Sequence, residues 1–172
     1  MSTIPTSEPM SLYRVDFQEL FARHLCRHSQ LGINVAHLVA LFGTWFAVYG
    51  VVYWLLPSPW VLVSLGAAYL AVVAANLPIR VLAATALFVA LLGGSLWSLP
   101  EMPVWIVGVY LVMIPVFYKL QSWSHKIWNI EKDMTQWDKK YAKGYVLFIV
   151  LLLYEVPICL NYLLFARKSH QA

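Results

Sequence analysis

The sequence predicts an all-α, polytopic integral membrane bundle of about five transmembrane helices, preceded by an interfacial amphipathic helix. Three observations point there. Of 172 residues, 61% are hydrophobic and 12% charged, about half the charged share of a soluble domain, so the apolar surface exceeds what a core of this size can enclose. Apolar runs of roughly twenty residues recur, each long enough to cross about 30 Å of hydrocarbon. Breaks at Pro57-Ser58-Pro59, Asn76-Leu77-Pro78 and Pro100-Glu101-Met102-Pro103 separate them.

In order, residues 1–11, with Pro5 and Pro9, read as a flexible tail. Over 12–29 the pattern Leu12, Val15, Phe17, Leu20, Phe21, Leu25 describes an amphipathic helix lying on the membrane, with Arg14, Arg23 and Arg27 toward headgroups or water. Gly32 and Asn34 mark a break, with Asn34 as N-cap of the first span, 33–56. The apolar stretch 60–99 would be roughly 60 Å long as one helix, about twice the hydrocarbon thickness. It therefore turns at Asn76–Arg80 and divides into spans 60–77 and 80–99. A fourth span covers 104–118, with Pro115 as a kink, and a fifth covers 144–165. The Lys-rich segment 119–143 between them starts helical and then becomes a loop. The whole chain, 1–172, is one membrane domain.

Charge orients this layout. With five crossings, ten of the twelve Lys and Arg residues fall on the side of the N-terminus, and only Arg167 and Lys168 fall opposite. The N-terminus and the 119–143 segment are therefore expected in the cytoplasm. A net charge of +4 distributed in this way suits membrane lipids as partners and not nucleic acid. The first thirty residues carry no apolar leader, so the first span is expected to do the targeting. Ala-, Val- and Leu-rich spans without a retention signal favour a bacterial inner membrane, with the endoplasmic reticulum as the alternative. Cys26 and Cys159 are too few for a disulfide framework and are expected as free thiols.

The chemistry-bearing residues gather on one membrane face. His24, His28 and His37 lie at the start of the first span, and His125 lies just past the end of the fourth. His170 falls on the other side. His24 and His28 are four apart and share a helical face. His28 and His37 are nine apart and meet only if the chain turns between them, at Gly32. A transition-metal site wants two or three imidazoles, a carboxylate and open positions. His28, His37 and His125 supply the imidazoles, with His24 as a fourth, and Glu131 is the nearest carboxylate. Asn34 and Asn129 stand at helical spacing from His37 and His125. Fe(II) and zinc both fit such ligands. Glu155, near the middle of the fifth span, must be protonated, paired or lining a cavity. It is expected to lie too deep to be a ligand and to act beside the site or in a substrate channel. A lipid chain between the spans would bring its polar head to the metal.

Two motifs resemble a known family, the small membrane-bound 2-hydroxy-fatty-acid dioxygenases of α-oxidation. That family has two histidines nine residues apart at the entry to its first span, with an Asn between them. His28 and His37 keep this spacing, with Asn34 one place late. Its later motif, Gln-x-x-Gly-His followed by a Glu, resembles Gln121-Ser122-Trp123-Ser124-His125, where Ser124 replaces the Gly and Asn129 stands where the Glu would follow. Glu155 matches an acidic residue on the family's last helix. The resemblance implies a divergent Fe(II)-dependent dioxygenase that takes a 2-hydroxy fatty acid and O2 and shortens the acid by one carbon. Two other classes compete. One is a haem-b membrane anchor with His37 and His125 as axial ligands. The other is a non-enzymatic scaffold whose Lys-rich loop binds a partner or anionic lipid.

Overall fold

The computed structural model describes residues 14–100, 102–128, 133–141 and 144–166. The expected tail and the candidate residues Asn129 and Glu131 lie outside the described residues. The fold is all-α, in the order α1 (Phe17–Leu25), α2 (Leu31–Leu55), α3 (Pro59–Ala74), α4 (Ile79–Trp97), α5 (Trp105–Trp128), α6 (Thr135–Lys140) and α7 (Tyr145–Asn161). A π-helical turn, Tyr162–Ala166, ends α7. Four helices are long and apolar enough to cross a membrane: α2, α4, α5, and α7 with its π turn. The protein is an integral membrane helical bundle. The expected span at 60–77 is a 16-residue helix, about 24 Å long and short of the roughly 30 Å hydrocarbon core.

Asp16 caps α1, its Oδ1 accepting from the Glu19 amide at 3.0 Å. Glu19 in the first turn and Arg23 in the last complement the helix dipole. The helix is shorter than the expected 12–29, and its apolar face rests on protein and not on lipid. Phe17, Leu20 and Phe21 pack with Val73, Leu77 and Val81 and with the stripe Val150, Tyr154, Ile158 and Tyr162 of α7. That four-residue stripe is a ready-made seat for an amphipathic helix.

The break after α1 falls at Cys26–Gln30, earlier than the expected Gly32. Gly32 and Asn34 both lie inside α2, and Gln30 takes the cap position in extended conformation. Asn34 is therefore not an N-cap. Gly32 is needed for a close approach: a Cβ there would come within 2.5 Å of the Trp128 ring. Gly43 and Gly50 do the same for Phe117 and Tyr110. Spacings of eleven and seven residues put these three glycines on one face of α2. The pairings 32 with 128, 43 with 117 and 50 with 110 make α2 and α5 antiparallel and closely packed. α5 runs unbroken through Pro115 to Trp128, ten residues beyond the expected end of its span. Those last turns carry Gln121, Ser124 and His125.

The fifth span departs most from expectation. Tyr162 Oη donates to the Ser29 carbonyl at 2.7 Å, and Glu155 lies beside His37. Arg80 sits over the Phe165 ring. α7 is thus antiparallel to α2, and its C-terminal end lies beside the α1–α2 turn, not across the membrane from it. The segment leading into α7 also docks on α1: Trp137 Nε1 donates to Cys26 Sγ at 3.3 Å, and Lys140 pairs with Glu19. Both flanks of α7 are therefore tied to the N-terminal segment. The layout of five crossings, which placed the C-terminal end opposite the N-terminus, does not fit this arrangement. Cys26 and Cys159 are free thiols.

Candidate metal centre

His28 lies in the α1–α2 turn, His37 in the second turn of α2, and His125 near the end of α5. The turn at Cys26–Gln30 folds His28 back over α2, and antiparallel packing brings His125 alongside. The three rings form a nearly equilateral triangle. Their centroids are 4.7 Å (28 to 37), 4.8 Å (28 to 125) and 4.9 Å (37 to 125) apart, all edge to face. One ring nitrogen from each lies within 4.8 Å of the others, so the three histidines could hold a metal ion.

The hydrogen bonds say which nitrogens face the gap. His37 Nδ1 bonds the Ile33 carbonyl at 2.8 Å, and His28 Nδ1 bonds the His24 carbonyl at 3.2 Å. A carbonyl only accepts, so both Nδ1 atoms carry the proton and both Nε2 atoms present a lone pair. Those two Nε2 atoms are buried and have no hydrogen-bond partner. Orphaned buried acceptors are costly, and a cation is what such lone pairs fit. The donor set therefore suits a borderline metal such as Fe(II) or Zn(II).

His24 takes a different place. It stacks flat on His28, with centroids 4.1 Å apart and planes at 10°. Its Nε2 meets Asn34 Oδ1 at 2.9 Å. The Asn34 amide nitrogen donates to the His28 and Gln30 carbonyls at 2.6 and 2.8 Å, which fixes the orientation of its oxygen. His24 therefore donates through Nε2 and supports His28, outside the group of three. Burial pulls the His24 pKa down to about 4, only partly offset by the Asn34 bond. Burial likewise pushes His28 well below the ordinary range, assisted by its histidine neighbours. Neutral imidazole is the form that ligates.

Glu155 is not too deep for the site, because α7 runs back toward the α1–α2 turn and brings it to the level of His37. Its Oε1 lies 3.8 Å from His37 Nε2 and accepts from Gln121 Nε2 at 2.5 Å. Ser124 Oγ donates to the Gln121 carbonyl at 2.7 Å and lies 3.4 Å from His37 Nδ1. Gln121, Ser124 and His125 thus act from one face of α5, at helical spacings of three and four.

A cavity of about 800 Å³ opens from the triangle, within the range of small-molecule sites. Its polar end holds the three histidines with Arg23, Arg27 and Glu155, and its long arm is apolar, lined by Leu41, Val48, Ile114, Phe148, Leu151 and Leu152. Sequence reasoning assigned Arg23 and Arg27 to headgroups or water, and gave Ser124 no role beyond replacing a Gly. The signal was present for Ser124, three residues after Gln121. For the arginines it was their four-residue spacing, in step with His24 and His28.

The edge-to-face contact of His37 and His125, with His28 against both, leaves no slot for a porphyrin between them. In this arrangement the two rings are not set as the axial pair expected for a haem anchor. Comparison with family models, curated proteins and solved structures finds no match to this chain.

Proposed function

We propose that the protein is a membrane-embedded non-haem Fe(II) oxygenase acting on a lipid, with a 2-hydroxy fatty acid as substrate. One observation carries the reading. Two buried, unpartnered imidazole nitrogens, each oriented by a backbone carbonyl, face a third histidine at the polar end of a largely apolar cavity. The resemblance of His28–His37 and of Gln121–His125 to the dioxygenase motifs supports the same chemistry. His28, His37 and His125 would hold the metal, and Glu155, steadied by Gln121, would sit beside it.

Bound Fe(II) would supply chelation of the 2-hydroxyl and carboxylate and activation of O2. The protein's share is geometry. The apolar arm holds the acyl chain, and the deep histidine cluster meets the head and excludes bulk water. In the overall reaction the C1–C2 bond breaks: a 2-hydroxy acid and O2 give the acid one carbon shorter, carbon dioxide and water. The N-terminal segment and the 119–143 segment share one side, which we assign to the cytoplasm of a bacterial inner membrane.

Detergent-purified protein loaded anaerobically with Fe(II) and given 2-hydroxypalmitate labelled at C1 tests this. Oxygen uptake matched by labelled carbon dioxide, and abolished in His37→Ala, is the expected result. Binding of iron without turnover of any 2-hydroxy acid would overturn the substrate. Equal behaviour of wild type and His37→Ala, with no metal in either, would favour the scaffold.

A further inference from the structure

The cavity carries two guanidinium groups that the metal chemistry leaves unused. Cys26, Arg27 and His28 continue the helical hydrogen bonding of α1. This sets Arg23 and Arg27 as a four-apart pair beside the pair His24 and His28. Both arginines line the polar end of the cavity. Arg23 Nε is buried without a hydrogen-bond partner. Among the described residues neither arginine makes an ion pair. Burial and the neighbouring Arg27 depress the Arg23 pKa, while Asp138 and Tyr141 of the α6 segment pull the other way. Two like charges side by side, one half-buried, at the mouth of an apolar arm are an arrangement that an anion would complete.

We propose that Arg23 and Arg27 receive the carboxylate of a long-chain acid whose chain lies in the apolar arm, making them the residues that select an acid over a neutral lipid. The proposal rests on reading the cavity as the substrate site. A guanidinium donates charge-assisted hydrogen bonds to a carboxylate, including the oxygen that chelation of the metal through the 2-hydroxyl and the other oxygen would leave free, and the exposed Arg27 can close on an entering head. The adjoining arm, lined by Leu41, Phe148, Leu151 and Leu152, suits an alkyl chain.

The test uses the full chain in phosphatidylcholine nanodiscs with EDTA. Dibromostearate and the corresponding dibromo alcohol are titrated against tryptophan emission, Trp45 lining the cavity. Arg27→Gln and Arg23→Gln are each expected to weaken the acid about tenfold and leave the alcohol unchanged, with Arg27→Lys recovering much of the loss. Unchanged acid affinity in both Gln variants would overturn the proposal. So would displacement of the acid by phosphatidylglycerol as readily as by stearate, since the pair would then be a headgroup contact. Iron loading of the same variants separates this test from the metal reading. Iron bound with acid affinity unmoved ends the arginine proposal alone. Acid affinity lowered in the variants, with no iron in wild type, ends the metal reading alone.

Discussion

Asn34 closes the α1–α2 turn by donating to two carbonyls on its near side and orients His24 with its oxygen. Asn34→Ala strips one bond from the buried His24 and two from part-buried carbonyls. It is expected to cost about 1–3 kcal/mol of stability and about 10- to 100-fold in metal affinity. Thermal melting and metal titration in detergent check both, and an unchanged melt with unchanged affinity would contradict the role. His24 makes a second test. His24→Phe keeps the stack on His28 and removes only the ring nitrogens, so the variant is expected to hold one metal per chain, whereas His28→Phe is expected to hold none. Elemental analysis distinguishes the two, and loss of metal in both would make His24 a ligand. The histidines were legible in the sequence because their spacing and shared membrane face show without coordinates. The roles of Asn34 and His24 were not, because they depend on a turn five residues long whose position hydropathy does not mark.

Among the elements, the α2–α5 pair carries the site. Gly32, Gly43 and Gly50 let aromatic rings of α5 lie against the α2 backbone, and that seam fixes the height of His125 against His37. Gly43→Val would drive two methyl groups into the Phe117 ring. Overpacking of this kind typically costs about 1–3 kcal/mol, and Gly43→Val with Phe117→Leu is expected to recover part of it. Melting of the single and double variants decides, and strict additivity would mean the ring and the glycine are not in contact. In contrast, Lys140 pairs with Glu19 at the surface, so Lys140→Ala is expected to change stability by no more than about 1 kcal/mol. Helix existence and type were readable here because long apolar runs broken at prolines admit little else. The segment after Lys119 starts helical, as expected, but how far that helix runs was not legible, because Gln121 and Ser122 mark neither its continuation nor its end, whereas its last turns are held by packing on α2.

At the scale of the whole molecule, the direction of α7 sets the chemistry. Antiparallel to α2, it delivers Glu155 to His37 and lays the stripe Val150, Tyr154, Ile158 and Tyr162 against α1. A run of apolar residues has no polarity of its own, so the sequence could count this helix but not orient it. The count of five crossings misled because it assigns one crossing to each apolar run, whereas α6 returns the chain along α1 before α7 begins. A cross-link reports the direction. In a background carrying Cys26→Ser and Cys159→Ala, Ser29→Cys with Tyr162→Cys is expected to couple through a short bismaleimide, and Val52→Cys with Tyr162→Cys is not. The reverse pattern would restore the parallel arrangement and remove Glu155 from the site.

All of this converges on a single ion held between α2, α5 and the turn before α2. The most direct measurement is metal content per chain of anaerobically purified protein, wild type beside His28→Ala, His37→Ala and His125→Ala, with folding of each monitored by melting. One iron per chain in wild type and none in the three folded variants is the predicted result. Wild type without metal, or variants that retain it, would contradict the account.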